Sequence, residues 1–263
     1  MQDDLSITLM RIFVWLVPVI YAITLHEVAH GAMAHYLGDT TARRAGRLSL
    51  NPLKHVDIIG SIVVPVFLFW FSGFVFGWAK PVPVNEANLG SPKRDMVLVA
   101  AAGPAANLLM SLFWALIMKL GYLLSASQPD AGWLLVYMGA AGIFINTAVM
   151  VLNLLPLPPL DGGRILLGLL PQRYSRMLGR VEPWGFVILV LMIVTGLVAK
   201  IIWPMMVLEM AVITYLIDTP ADLFIQALRF LFAESQFAAG AGTAGIGAVS
   251  VAGAVSAAGA AVV

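Results

Sequence analysis

No cysteine occurs anywhere in the chain, which excludes disulfides, thiolate catalysis and Cys-ligated metal. Charge is nearly as scarce: 15 basic and 14 acidic side chains make 11% of 263 residues, where a water-facing surface carries roughly 25%. A soluble globular domain cannot be built from that composition. The net charge of +1 leaves no basic surface for a nucleic acid. What the chain has instead is 60% hydrophobic residues, gathered into long runs between short polar stretches. An all-α polytopic protein of the cell membrane is the class that fits.

Six apolar segments can be drawn, at residues 9–36, 58–76, 96–124, 133–155, 184–199 and 203–217. The first would be about 42 Å long as a helix, more than a ~30 Å hydrocarbon core requires, so it can tilt or protrude. Its acidic start lacks the basic region and cleavage site of a signal peptide, and it is expected to be retained. The polar connections, including 171–183, are too short to fold alone, so residues 1–232 are expected to form one membrane domain. Residues 233–263 are an Ala/Gly/Val/Ser tract with no charge after Glu234, expected to be mobile, with a loosely packed hydrophobic helix as the alternative.

Loop charge orients the helices. If the first helix runs from outside to inside, only Arg11, Lys119 and Lys200 face outward and every other Arg and Lys faces the cytoplasm. That arrangement requires residues 58–76 to enter and leave on one face. Pro65 with Gly73 and Gly77 permits a re-entrant or broken segment there, giving about five spanning helices beside it.

Within the first apolar segment stands His26-Glu27-Val28-Ala29-His30, a His-Glu-x-x-His pattern. Residues i and i+4 share a helical face about 6 Å apart, so both imidazoles can meet one Zn²⁺ ion, which leaves room for a third ligand and water. Glu27 lies about 100° around the helix, where it reaches that water rather than the metal and suits a general base. Two surface histidines would be the ordinary alternative. Inside an apolar span, three ionisable groups are too costly to be incidental.

A third ligand is needed, and Asp161 is well placed in Asn153-Leu154-Leu155-Pro156-Leu157-Pro158-Pro159-Leu160-Asp161-Gly162-Gly163. Three prolines cannot continue a helix, so the chain is expected to open near membrane depth and turn at the glycines. A helix cap is the alternative role for Asp161. Asp161 reaches the histidines only if the fourth segment runs outside to inside, which again requires 58–76 to be re-entrant.

Together these residues resemble the site-2 proteases, intramembrane zinc metalloproteases, whose pattern joins His-Glu-x-x-His to Gly-Pro-x-x-Asn and Asn-x-x-Pro-x-Pro-x-Leu-Asp-Gly. Here those are His26 to His30, Gly103 to Asn107 and Asn153 to Gly162, and the resemblance covers about residues 14–170. Residues 51–61 and 77–85 also look like the compact prokaryotic branch, and the chain has no room for a PDZ or CBS domain. The resemblance implies one Zn²⁺ per chain on His26, His30 and Asp161, with Glu27 as base. It implies peptide-bond hydrolysis in or beside membrane-spanning substrates, with the site toward the cytoplasm. Asn153 is an oxyanion donor by the same resemblance, or else satisfies backbone freed by the prolines. Asn107 is open between substrate contact and tying helices together. Residues 80–84 could lie beside an unwound substrate or be an ordinary surface loop.

Other polar residues have plainer expectations. His35 is rotated too far from His30 to share an ion and belongs to the helix end. His55 and Asp57 are read as a loop staple, and Glu209 as a paired or interface-facing group. A membrane metal transporter using the same ligands is the alternative function, although no repeated half with a second polar cluster is visible.

Overall fold

The computed structural model describes residues 2–63, 67, 77, 79–220 and 222–232. Most of the expected re-entrant stretch at 58–76 and the whole 233–263 tail lie outside those residues.

Most of the described chain is helical, and none of it forms a strand. Its elements are α1 (Gln2–Tyr36), α2 (Pro92–Leu124), α3 (Pro129–Asn153), α4 (Asp161–Leu169), α5 (Gln172–Gly179), α6 (Glu182–Val194), α7 (Leu197–Leu216) and α8 (222–232). Four of them, α1, α2, α3 and α7, are long and apolar enough to cross a membrane, and the bent pair α5 and α6 brings the number to as many as five. The protein is an all-α polytopic membrane protein.

Local chemistry sets the helix starts. Both α2 and α3 begin with a proline, whose missing N–H costs nothing in the first turn, and carry an acidic residue there against the helix dipole. In α2 that residue, Asp95, also reaches back to accept the Ser91 N–H at 2.7 Å.

Between helices in lipid there is no hydrophobic drive, so close approach of backbones must hold the bundle. Small residues supply it. A Cβ on Gly139 would stand 2.5 Å from Met118 Cβ, and one on Gly142 only 2.1 Å from the Trp114 ring. These contacts zip α2 antiparallel to α3, and the core at their seam holds Met118, Trp114, Val136 and Ile143, joined by Met210 and Ile213 of α7. Leu109, Leu116 and Leu123 of α2 and Leu191 and Val194 of α6 stay exposed, as lipid-facing residues must.

The last two apolar segments divide earlier than the sequence predicts. A break was expected around residues 200–202, yet the turn falls at Thr195 and Gly196. Gly196 adopts φ +72°, a conformation that glycine alone takes without strain, while the Thr195 amide bonds to Leu191 and the Gly196 amide to Ile193. Lys200 sits inside the first turn of α7, its N–H bonded to the Gly196 carbonyl at 3.2 Å. A long cationic side chain near a helix end can reach the interface without breaking the helix. The stretch 171–183, read as a polar connection, likewise folds as α5.

The chain after α1 and before α2 caps one end of the bundle. Asp39 is fully buried there: its Oδ1 accepts from the Thr41 N–H, Thr41 Oγ1 and Asn88 Nδ2, and its Oδ2 from the Asn85 N–H at 2.7 Å. The Lys80 N–H bonds to the His55 carbonyl, and Arg47 donates to the Lys80 carbonyl. Both described flanks of the 58–76 stretch therefore stand at the end where α1 finishes. His55 pins its loop by donating from Nε2 to the Ser49 carbonyl at 2.9 Å, while Asp57 accepts the Gly60 N–H at 2.8 Å.

Candidate metal centre

On α1 the two histidines stand one turn apart and point at α2 and at the start of α4. Among the described residues, His26, His30 and Asp161 form a group whose ligand atoms all lie within 4.8 Å of one another. The two Nε2 atoms are 3.0 Å apart, and Asp161 Oδ2 is 3.1 Å from that of His26 and 3.3 Å from that of His30. Ligands on a tetrahedral ion at ~2.0–2.1 Å stand about 3.3 Å from each other, so the triangle has the size of one face of such a site.

The outer partners fix which nitrogens face inward. His26 Nδ1 donates to Asn107 Oδ1 at 2.6 Å, and His30 Nδ1 donates to the Val99 carbonyl at 2.7 Å. With the proton on Nδ1 in both rings, the facing Nε2 atoms present lone pairs to each other and to a carboxylate. Asp161 Oδ2 is buried with no hydrogen-bond donor. Three acceptors turned on one point repel unless a cation lies among them, and the donor set of two imidazoles and a carboxylate suits zinc.

The neighbouring motifs explain this geometry. Gly103 of α2 is where the imidazoles pass: a Cβ there would lie 2.5 Å from His30 Nε2 and 2.6 Å from His26 Cε1. Four residues on, Asn107 is fully buried, and its Nδ2 donates to the Ala22 carbonyl at 3.1 Å and to Asn146 Oδ1 at 2.9 Å. Both amide protons are thus spent and the oxygen is on His26. The side chain thereby ties α1, α2 and α3 together behind the histidine. In the sequence, only its place in the Gly-Pro-x-x-Asn motif signals the role of Gly103.

Asp161 is the first residue of α4, and the glycines after it do not make the turn. The turn is made earlier, across residues 154–160, where prolines cannot extend α3. Gly162 and Gly163 instead let the first turn of α4 lie against that bend: Cβ atoms there would stand 2.3 Å from the Leu154 carbonyl oxygen and 2.2 Å from Pro158 N. From outside, Gly185 of α6 comes so close that its Cβ would overlap the Pro158 carbonyl at 1.7 Å. Asp161 does not cap α4 either, for it lies beyond the cap position and faces the histidines.

Glu27 is half-buried beside this group, and its Oε2 accepts the Val82 N–H at 2.8 Å. Val82 is buried while Pro81 and Pro83 are exposed, an alternation of extended chain. Gly31, one turn after Glu27, makes room for it, since a Cβ would meet Val82 Cγ1 at 2.8 Å. Asn153, the last residue of α3, donates from Nδ2 to its own helix at Val149, 2.9 Å away. His35 accepts from Arg43 at 3.2 Å at the end of α1, apart from the ion site. Glu209 of α7 faces the hydroxyls of Ser111 and Thr147.

Known proteins similar to this chain carry zinc metalloprotease names. The chain is 36% identical over 192 residues to a Bacillus subtilis protein named "Putative zinc metalloprotease YwhC", covering 72% of this chain and 84% of that one. It is 32% identical over 176 residues to "Putative zinc metalloprotease Rip2" of Mycolicibacterium smegmatis, and 27% over 179 residues to the Rip2 of Mycobacterium tuberculosis. Those two alignments span 66% and 68% of this chain and 64% of each Rip2 protein. No protein-family profile and no solved structure matches. Identity at the level seen with YwhC, across most of both chains, establishes that this chain belongs to the site-2 protease family.

Proposed function

We propose that the protein is an intramembrane zinc endopeptidase that hydrolyses peptide bonds in or beside transmembrane segments, near the cytoplasmic face. His26, His30 and Asp161 hold one zinc per chain in this reading, and Glu27 is the general base. The observation that carries it is the triangle of two Nε2 atoms and the donorless Asp161 Oδ2, 3.0 to 3.3 Å on each edge. The zinc metalloprotease names of the relatives support the metalloprotease part of that reading.

Bound zinc supplies a Lewis acid and lowers the pKa of a water to about 7. The rest of the work falls to the chain. Glu27, oriented at Oε2 by the Val82 amide, keeps Oε1 for taking a proton from the attacking water and returning it to the leaving amine. Asn153 spends one amide proton on Val149 and has a second to offer the oxyanion. Asn107 and the Val99 carbonyl hold the imidazoles in the tautomer that ligates.

A substrate helix hides its amides in internal hydrogen bonds, so it must unwind before a carbonyl can reach the site. The natural substrates are therefore membrane proteins whose spans carry helix-weakening Gly, Pro or Asn near the cleavage point. Reconstitution with single-span substrates tests the proposal, comparing wild type with Glu27→Gln and mapping fragments by mass. Cleavage by wild type that is lost in Glu27→Gln with zinc retained is expected. Full activity in that variant, or zinc flux into the vesicles without cleavage, would overturn it.

A further inference from the structure

Outside the metal centre, α5 is a surface that nothing in the proteolytic reading uses. Its sequence, Gln172 to Gly179, places Arg173 and Arg176 three residues apart, and Arg180 follows four later, so the three guanidinium groups share one helical stripe. Tyr174 and Met177 lie on the adjoining arc and are 54% and 58% exposed, and no residue of α5 is buried. Among the described residues, nothing covers either the basic or the apolar side of this helix.

Two observations identify that partner. First, α5 meets α6 at a bend of 62°. With apolar α6 directed into the bilayer, α5 is turned toward the membrane plane, the attitude of an interfacial amphipathic helix. Second, the arginines have no acid to neutralise them: among the described residues no ion pair involves Arg173, Arg176 or Arg180, and Arg176 Nε reaches only the Gln172 carbonyl of its own helix. The nearest acidic residue in the sequence, Glu182, occupies the first turn of α6. In the sequence, the 233–263 tail holds a single acid, Glu234, and no charge after it.

We infer that α5 is a binding site for anionic phospholipid headgroups, with Arg173, Arg176 and Arg180 on the phosphates and Tyr174 and Met177 at the acyl boundary. Arginine suits this role because its planar fork donates two hydrogen bonds to one phosphate. The site stands one short helix from the metal centre, since only Leu170 and Pro171 separate α5 from the helix that Asp161 begins. Lys93, at the start of α2, donates to the Leu170 carbonyl and adds a further cation at that junction.

Trp184, 66% exposed in the first turn of α6, provides the probe. The full chain is reconstituted in phosphatidylcholine vesicles containing equal fractions of brominated phosphatidylglycerol or brominated phosphatidylcholine. Trp184 quenching is read as the difference between a protein and its Trp184→Phe counterpart. Several-fold stronger quenching by the brominated phosphatidylglycerol is expected, weakening with salt and lost in the combined Arg173→Gln, Arg176→Gln, Arg180→Gln variant. Zinc content and thermal stability of that variant should match wild type, which separates this test from the proteolytic reading. Equal quenching by the two lipids, or a preference that survives the triple substitution, would overturn the inference. So would abolition of the preference by soluble glycerol phosphate, which would mark a free-phosphate site.

Discussion

The Val82 amide and the Glu27 carboxylate are joined by a 2.8 Å hydrogen bond that links the extended 80–84 stretch to α1 beside the metal centre. A hydrogen bond to a charged group contributes about 1.5–3 kcal/mol. Val82→Pro removes the donor, in a segment whose neighbours are already prolines. The expected result is a kcat about 10-fold to 100-fold lower with zinc content unchanged. Steady-state kinetics alongside metal analysis would check it, and an unaltered kcat would deny the amide its orienting role.

Gly103→Ala should cost the protein its metal. A methyl group there enters the space of both imidazoles, at 2.5 Å from His30 and 2.6 Å from His26. Alanine is favoured over glycine in a helix by about 1 kcal/mol, so α2 itself should not suffer. Zinc loss measured by elemental analysis, with helical content preserved by circular dichroism, is the expected pair of results.

Asn107→Leu removes the acceptor that holds His26 Nδ1 and the donors that reach Ala22 and Asn146. Loss of an outer partner of this kind lowers metal affinity about 10-fold to 100-fold. Titration against a competing chelator would measure it. The chelator should also inactivate wild type, with recovery on adding zinc back.

Acid should loosen the cap that carries residues 80–84. Burial works to raise the Asp39 pKa, but hydrogen bonds from Asn88, Thr41 and Asn85 outweigh it and hold the carboxyl down at about 2. Because the folded value lies below the unfolded one of about 3.9, the contribution is complete above pH 4 and disappears as pH falls toward 2. Hydrogen exchange at residues 80–88 should accelerate across that window. In Asp39→Asn it should already be fast at neutral pH.

The grouping of His26, His30 and Asp161 was legible in the sequence because its signals are local: spacing fixes the face shared by His26 and His30, and prolines fix the opening before Asp161. The spanning helices were legible for the same reason, as runs of apolar residues. What escaped depends on contacts between distant segments. Nothing local tells that Gly103 must be small, since the atoms it would strike belong to α1. The carboxamide of Asn107 could face a substrate or a helix until α1 and α3 are set beside it. Gly162 and Gly163 look like a turn, yet they serve the packing of α4 on the chain before it. The break at Gly196 was masked by Lys200, whose charge resembles a loop signal although its backbone is helical.

The separation of His30 from Asp161 along the chain has a bearing on biosynthesis. A ribosome delivers the imidazole pair long before the carboxylate, and α2 and α3 must be threaded and packed in between. A partly synthesised chain therefore presents two of the three grouped side chains and, under the proposed function, has no hydrolytic competence. Under that same proposal, nascent membrane proteins beside it are safe until Asp161 docks.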